Sequence, residues 1–164
     1  ETLEHRTNCS GPISAKTYAE LLQCDFAYHW SPDGGATFPY RGQGITVVKA
    51  EELLDAFPTA RIGLEIKQTT AQATTDLCNL IKAKGAENRM LISSFAQPNM
   101  DVFRAACPTV ATSATQDEGV QFYLYSQSPF PAGFNPPYSS LQVPEVFSGI
   151  QVVTPDTVAD ADLR

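Results

Sequence analysis

From residue 61 onward, short apolar runs alternate with amphipathic segments of helical period. The runs predict strands over 61–67, 90–95, 109–114 and 149–153, and the segments predict helices over 70–84, 98–107, 116–124 and 155–163. Strands that alternate with helices at this spacing form βαβ units, whose strands are parallel. We therefore predict an α/β protein with about four parallel strands.

The first 57 residues have a different character. We predict a helix over 14–24, capped by Ser14, and a second helix over 50–57. Between them, residues 26–44 mix turn-forming residues with aromatic residues. A long loop of this composition is usually functional or packed on itself. We expect an aromatic and glycine-rich insertion ahead of the sheet.

Two charged residues lie inside the first predicted strand of the sheet. Glu65 and Lys67 are two residues apart, so their side chains point to one face while Leu64 and Ile66 point to the other. Desolvating a carboxylate and an ammonium is costly unless both are used. The pair is either a metal ligand beside an anion-binding lysine or a structural ion pair at a strand end. The residues alone leave both interpretations open.

Composition limits the partners of this chain. A net charge of −7 argues against nucleic acid, and no apolar run approaches the ~20 residues that span a bilayer. The four cysteines form no CxxC pair, so we expect no zinc site. Small buried hydrophobic side chains are their favoured role, with disulfides left open. Because the chain does not begin with Met, the sequence leaves its compartment undetermined.

Several segments, taken in order, resemble the glycerophosphodiester phosphodiesterase family. The resemblance extends over essentially the whole chain. Its segments are Thr7-Asn8, Ser10 to Ile13, Trp30 to Gly44, Ala50 to Leu54, Leu64-Glu65-Ile66-Lys67, Ser93-Ser94-Phe95, Leu141 to Pro144 and Gly149 to Pro155.

The resemblance implies a TIM-barrel fold with catalytic groups at the C-terminal ends of its strands. It implies hydrolysis of glycerophosphodiesters, such as glycerophosphocholine, to glycerol 3-phosphate and an alcohol. In the family, carboxylates hold Mg²⁺ or Ca²⁺ and two histidines act as acid and base. Glu65 corresponds to a metal-binding carboxylate, Lys67 to the phosphate-binding lysine and Phe95 to a pocket residue. The stretch from Trp30 to Gly44 resembles an insertion that helps enclose the glycerol group.

The chain also departs from the family pattern. The family's His-Arg-Gly, Glu-x-Asp and His-Asp motifs lie upstream of the segment that resembles residues 3–8, and its Trp-Thr-x-Asn motif lies beyond Arg164. His5 falls where the family has arginine, and His29 matches no catalytic role. We therefore assign no catalytic residue. We expect residues 1–164 to be a partial, catalytically incomplete domain that covers about four central strands of the barrel.

Two other functions remain open at this point. One is a non-catalytic α/β binding or interaction module that uses the same loops. The other is a different barrel hydrolase, such as a glycosidase, which would need a second carboxylate about 5–9.5 Å from Glu65. For the phosphodiesterase that the resemblance implies, the expected partner is a small glycerophosphodiester. A partial barrel would also leave sheet edges unpaired, so we expect association with another copy or with a missing remainder of the chain.

Overall fold

A computed structural model describes residues 2–67, 70–127 and 134–162. The chain divides into two compact units, Glu1–Ala56 and Phe57–Arg164. Each unit has its own buried residues and its own disulfide bond. No helix in the described ranges is long and apolar enough to cross a membrane.

The first unit contains two short helices, α1 (Tyr18–Leu21) and α2 (Ala50–Ala56), and a 3-10 turn at Ile13–Ala15. The predicted helix over 14–24 is therefore too long, and its predicted cap, Ser14, is wrong. Thr17 caps α1 instead, because its hydroxyl accepts a hydrogen bond from the Glu20 N–H at 3.3 Å. The Glu20 carboxylate accepts in return from the Thr17 N–H at 2.8 Å, which completes a capping box.

The aromatic insertion in this unit is packed on itself. The Arg41 guanidinium lies 4.2 Å from the ring centroid of Tyr28 and 3.8 Å from that of Phe38. Its Nε also donates to the Tyr28 carbonyl at 2.8 Å. These contacts tie Arg41 to two other positions of the same loop. The rings of Trp30 and Tyr40 also contact each other on the surface of the insertion, with their centroids 4.8 Å apart.

The second unit is built on a parallel sheet with strand order β1-β2-β3. Its elements follow the chain as β1 (Ile62–Glu65), α3 (Ala71–Ala83), β2 (Met90–Ser93), α4 (Gln97–Ala106), β3 (Ala111–Thr112) and α5 (Gln116–Ser126). A 3-10 turn, Glu87–Arg89, precedes β2. The α/β class and the parallel pairing predicted from the sequence are confirmed.

The predicted fourth parallel strand over 149–153 is wrong. Strand β5 (Ile150–Gln151) pairs antiparallel with β4 (Val146–Phe147), in a ladder separate from the main sheet. Ser148 and Gly149 connect them with φ angles of 51° and 80°, as a tight two-residue hairpin requires. The position beside β3 is occupied by Ser140, which forms a parallel bridge with Ser113. The predicted helix over 155–163 is α6 (Pro155–Asp162), and residue 163 lies outside the described residues.

The core of the second unit includes side chains of α3, α4 and β2. Ile81, Ile92, Met100 and Phe103 are fully buried there. Cys78 in α3 and Cys107, just after α4, join in a disulfide bond that ties the two helices together. In the first unit Cys9 is bonded to Cys24. The expectation of unpaired, apolar cysteines is therefore wrong, and the alternative of disulfides is correct.

The Cys78–Cys107 bond should stabilise the protein substantially. It closes a loop with a sequence separation of 29, and cross-linking a loop of this length removes unfolded-state entropy worth about 3–4 kcal/mol. We expect Cys78→Ala combined with Cys107→Ala to lower the free energy of unfolding by about that amount in urea titrations without reductant. A loss below about 1 kcal/mol would contradict this account.

The open edge of β1 should promote association of the isolated chain. Within the described residues, β1 lies at the edge of the sheet and pairs only with β2, so its outer edge can template pairing with another strand. We expect residues 1–164, produced alone, to sediment as dimers or larger species. A single monomeric boundary with one cooperative unfolding transition would contradict this prediction.

Candidate functional site

The C-terminal ends of the three parallel strands open onto a cavity of about 730 Å³. Glu65 ends β1, residues 93–95 end and follow β2, and residues 113–116 follow β3, and all of them line it. Parallel strands bring these ends to one edge of the sheet, where α/β proteins usually bind their ligands. The cavity is therefore the candidate site of the second unit.

Glu65 and Lys67 meet as an ion pair, although the predicted strand over 61–67 ends at Glu65 and Lys67 lies beyond it. Lys67 Nζ lies 2.6 Å from Glu65 Oε1. The side chain of Lys67 is 49% exposed and that of Glu65 is 32% exposed. An ion pair this exposed contributes at most about 1 kcal/mol to stability. The structural ion pair is thus present, but it stabilises the fold only weakly. Both groups can be reached by a ligand at little energetic cost.

Phe95 completes this cluster. Its ring is exposed and lines the cavity, and Lys67 Nζ lies 5.6 Å from the ring centroid, within cation–π range. Glu65, Lys67 and Phe95 are therefore brought together, although Lys67 lies beside the cavity rather than in its lining.

Ser94 holds the ends of β1 and β2 in register. Its buried hydroxyl donates to the Ile66 carbonyl at 2.9 Å and accepts from Asn99 Nδ2 at 3.1 Å. The Ile66 N–H also donates to the Ser93 carbonyl at 2.8 Å. These bonds fix the backbone at Ile66, directly after Glu65. The sequence marked Ser94 only as part of a motif, because nothing local indicates its partner 28 residues earlier.

A largely buried ion pair joins α4 to α5. Arg104 Nη1 lies 2.6 Å from Glu118 Oε1, and Nη2 lies 3.0 Å from Oε2, which makes the pair bidentate. Arg104 also donates to the Thr112 hydroxyl and to the Ser113 carbonyl. Glu118 accepts from the Thr115 N–H at 2.9 Å and so caps α5 as well. The pair ties α4, the end of β3 and α5 into one network.

Two pKa values in this region are shifted. Burial opposes ionisation of Glu118, but hydrogen bonds from Arg104 and Thr115 outweigh it and hold its pKa below the ordinary 4.5. Burial, helped by the negative charge of Glu118, raises the pKa of Tyr138 to about 12. The Tyr138 hydroxyl is buried and has no hydrogen-bond partner in the described part of the chain. It therefore stays protonated at all physiological pH values.

The described side chains at this edge of the sheet can supply one ligand to a metal ion, but not a complete set of ligands. Glu65 is the one carboxylate among the described residues that line the cavity. Nowhere in residues 2–67, 70–127 and 134–162 do three His, Cys, Asp or Glu side chains cluster. Mg²⁺ needs a near-octahedral set of oxygens and Ca²⁺ needs 6–8. Glu65 can supply one ligand, and further carboxylates would have to come from outside these residues.

Replacing Glu118 by glutamine should destabilise the second unit. Removing one partner of a buried pair leaves the other charge uncompensated, at a cost of about 3–5 kcal/mol. We expect a loss near 3 kcal/mol in urea titrations at pH 7, because Arg104 keeps its bonds to Thr112 and Ser113. Asp117→Asn, an exposed change in the same helical turn, is the matched control and should cost less than about 1 kcal/mol.

The pH dependence of this stabilisation has a definite sign. The pKa of Glu118 is lower in the folded protein than its ordinary 4.5, so its contribution is complete above that pH and disappears as the pH falls through the folded value. The difference in unfolding free energy between the unmodified chain and Glu118→Gln should therefore shrink below pH 4.5. A difference that stays constant down to pH 2 would contradict the shift.

Comparisons with known proteins agree with the fold. Neither a protein-family model nor a curated protein sequence matches the chain. Among solved structures, a glycerophosphodiester phosphodiesterase from Agrobacterium tumefaciens matches 73% of this chain and 48% of its own, with a TM-score of 0.59 and 19% identity. The glycerophosphoryl diester phosphodiesterase domain of a Mycobacterium tuberculosis protein matches 82% and 49%, with a TM-score of 0.66 and 19% identity.

The two matches show which part of the fold this chain shares with the solved structures. The chain spans about half the length of either solved structure. Their similarity at 19% identity extends to the backbone fold, and it agrees with the family resemblance of the sequence motifs. Over that half, the chain has the α/β fold of the glycerophosphodiester phosphodiesterases.

Proposed function

We propose that this chain is part of a metal-dependent phosphodiesterase that hydrolyses glycerophosphodiesters to glycerol 3-phosphate and an alcohol, in glycerophospholipid metabolism. The observation that carries the proposal is the joint position of Glu65 and Lys67 at the C-terminal end of a strand, beside a cavity. The fold shared with two structures named for this activity supports it. The parallel sheet would then be one arc of a TIM barrel.

Glu65 and Lys67 have complementary roles in this proposal. Glu65 would supply one oxygen ligand to Mg²⁺ or Ca²⁺, and such a cation would supply polarisation of the phosphoryl group and compensation of its developing charge. Lys67 carries three donors on a flexible stem and contacts the anionic phosphate directly. Phe95 restricts the position of the Lys67 ammonium through its ring face.

The ion pair between Glu65 and Lys67 suits a site in which each residue would exchange the other for a ligand. In the ligand-free chain each charge neutralises the other across 2.6 Å. If Glu65 held a cation, it would no longer neutralise Lys67, whose ammonium could then contact a phosphate. Because the pair is exposed and weakly stabilising, this exchange costs little.

Acid–base groups are the part that the described residues do not supply. None of the described residues lining the cavity is a histidine, and one is a carboxylate. Proton transfer near neutral pH usually needs a group such as histidine. The active enzyme therefore needs residues beyond those described, which agrees with the partial coverage of the two related structures.

The isolated chain should be inactive. We expect residues 1–164 to release no measurable glycerol 3-phosphate from glycerophosphocholine in the presence of Mg²⁺ or Ca²⁺, because one carboxylate cannot hold the cation tightly. Turnover comparable with that of a complete phosphodiesterase, abolished by Glu65→Ala, would refute this prediction.

Glu65 should be essential in the full-length protein. We expect Glu65→Gln to lower kcat/KM for a glycerophosphodiester about hundredfold or more, the scale of losing one key electrostatic contact, and to raise the Mg²⁺ concentration needed for half-maximal rate. Glu87→Gln is the matched control, since Glu87 precedes β2 at the opposite end of the strands. Equal rates for the two variants would exclude Glu65 from the site.

The alternatives make different predictions for the same protein. A glycosidase would need a second carboxylate near Glu65, whereas Glu118 is held by Arg104 and by its own helix end. A non-catalytic module would bind a glycerophosphodiester saturably without turnover, and calorimetry with the full-length protein would detect that.

A further inference from the structure

The hydroxyl group of Ser94 has its hydrogen-bonding capacity fully used. Its oxygen accepts from Asn99 Nδ2 at 3.1 Å and from the Ala96 N–H at 3.3 Å. Its proton is donated to the Ile66 carbonyl at 2.9 Å. A hydroxyl has one proton and two acceptor positions. Because Asn99 and Ala96 are both N–H donors here, Ile66 is the one acceptor among these partners, and the direction of the bond is fixed.

These groups are shielded from water. Ser94 and Asn99 are each 4% exposed, and Ile66 is 8% exposed. Water therefore competes little for the bonds, and a buried hydrogen bond is costly to break when one partner is left without a replacement. Two buried polar side chains are thus committed to the position of one backbone carbonyl.

That carbonyl lies between the two charged residues of the candidate site. Glu65 precedes Ile66 and Lys67 follows it, so the orientation of Ile66 sets the directions in which both charged side chains leave the backbone. The Ile66 N–H is held as well, because it donates to the Ser93 carbonyl at 2.8 Å. With both of its backbone polar groups bonded, Ile66 keeps Glu65 and Lys67 in a fixed relation to the end of β2.

The other end of this series of bonds belongs to an anchored helix. Asn99 lies in the first turn of α4, and the disulfide bond between Cys78 and Cys107 joins the opposite end of α4 to α3. Arg104 joins α4 to α5 through its bidentate pair with Glu118. Two further helices of the unit therefore fix the position from which Asn99 donates.

We propose that Asn99 and Ser94 are positioning residues, which transmit the position of α4 to the Ile66 carbonyl and so align Glu65 and Lys67 for their ligands. This inference rests on the proposed function for the roles of Glu65 and Lys67. It adds two residues that contact neither cation nor phosphate and that act through the backbone. Replacing outer-shell partners of this kind usually lowers metal affinity or activity by about 10- to 100-fold.

Amide hydrogen exchange in the metal-free, full-length protein tests the backbone part of the proposal. Ser94→Ala removes the bond to the Ile66 carbonyl, so we expect the Ile66 amide to exchange about tenfold faster, the scale of one buried hydrogen bond. An exchange rate at Ile66 that does not change in Ser94→Ala would overturn the proposal.

Ser126→Ala is the matched control for this measurement. The Ser126 hydroxyl also donates to a carbonyl, at 2.8 Å, and accepts from a side-chain amide, at 3.2 Å, but it lies at the end of α5. We expect this variant to leave exchange at Ile66 unchanged. Acceleration at Ile66 by the same factor in both serine variants would show a general loosening of the unit and would overturn the proposal.

Asn99→Leu tests the first member of the relay. Leucine has a similar size but no N–H to donate, so the Ser94 hydroxyl stays in place without the group that orients it. We expect exchange at Ile66 to accelerate in the same direction as in Ser94→Ala, by a smaller factor. No acceleration in this variant would remove Asn99 from the relay. Thermal melts of all variants verify that they fold.

A double-mutant cycle separates this proposal from the proposed function. Calorimetry measures the Mg²⁺ affinity of the full-length protein without substrate. We expect Glu65→Gln and Ser94→Ala each to weaken Mg²⁺ binding about tenfold or more, and the double variant to bind no more weakly than Glu65→Gln alone, because Ser94 acts through Glu65.

Each other result of the cycle has a distinct meaning. Losses that multiply in the double variant would show that Ser94 acts independently of Glu65 and would overturn the proposal. A loss in Glu65→Gln without one in Ser94→Ala would overturn the relay and leave the proposed function standing. No loss in Glu65→Gln would contradict the proposed function itself, and the role of the relay with it, even if the Ile66 amide responds to Ser94→Ala.

Discussion

Parallel pairing between β1 and β2 is the interaction on which the candidate site depends. The register sets Glu65 opposite Ser93, so the residues that follow both strands emerge at one edge. The bonds from Ser94 to Ile66 and from Ile66 to Ser93 then continue the pairing just past the strand ends. A slip of one residue would turn Glu65 to the other face of the sheet and leave the cavity without a carboxylate.

The Arg104–Glu118 pair extends that order to the wall of the cavity. It joins the end of β3 to the first turn of α5 through a fork of short bonds. An arginine fork is directional, so it fixes the angle of the helix as well as its position. Val120 and Leu124 of the same helix line the cavity.

Sequence periodicity predicted most of the parallel sheet, and the reasons for the misses are physical. Period two in residues 62–65 and helical period in residues 71–83 are local signals, and both elements formed as expected. The run at 149–153 has the same composition as a buried strand, but positive φ angles at Ser148 and Gly149 turn it into a hairpin. Pairings such as Cys78–Cys107 depend on the tertiary fold and leave no local trace.

The same distinction between local signals and contacts set by the tertiary fold applies to the candidate site. The spacing of Glu65 and Lys67 predicted that their side chains share one face, and the two do meet, although β1 ends at Glu65 and Lys67 follows it. The part of the cavity that α5 and the β4–β5 hairpin line was not predictable, since these elements converge only after the sheet has formed. Convergence of segments this far apart in the sequence leaves no local signal.

The two disulfides give the chain a graded response to its chemical surroundings. Cys9 is partly accessible, whereas Cys78 and Cys107 are completely enclosed by side chains. A thiol reagent must contact a sulfur atom to exchange with it, so it reaches the first bond in the native state and the second only after local opening. In a reducing environment the segment closed by Cys9 and Cys24 would therefore loosen first, while α3 and α4 kept their cross-link until the unit itself unfolded.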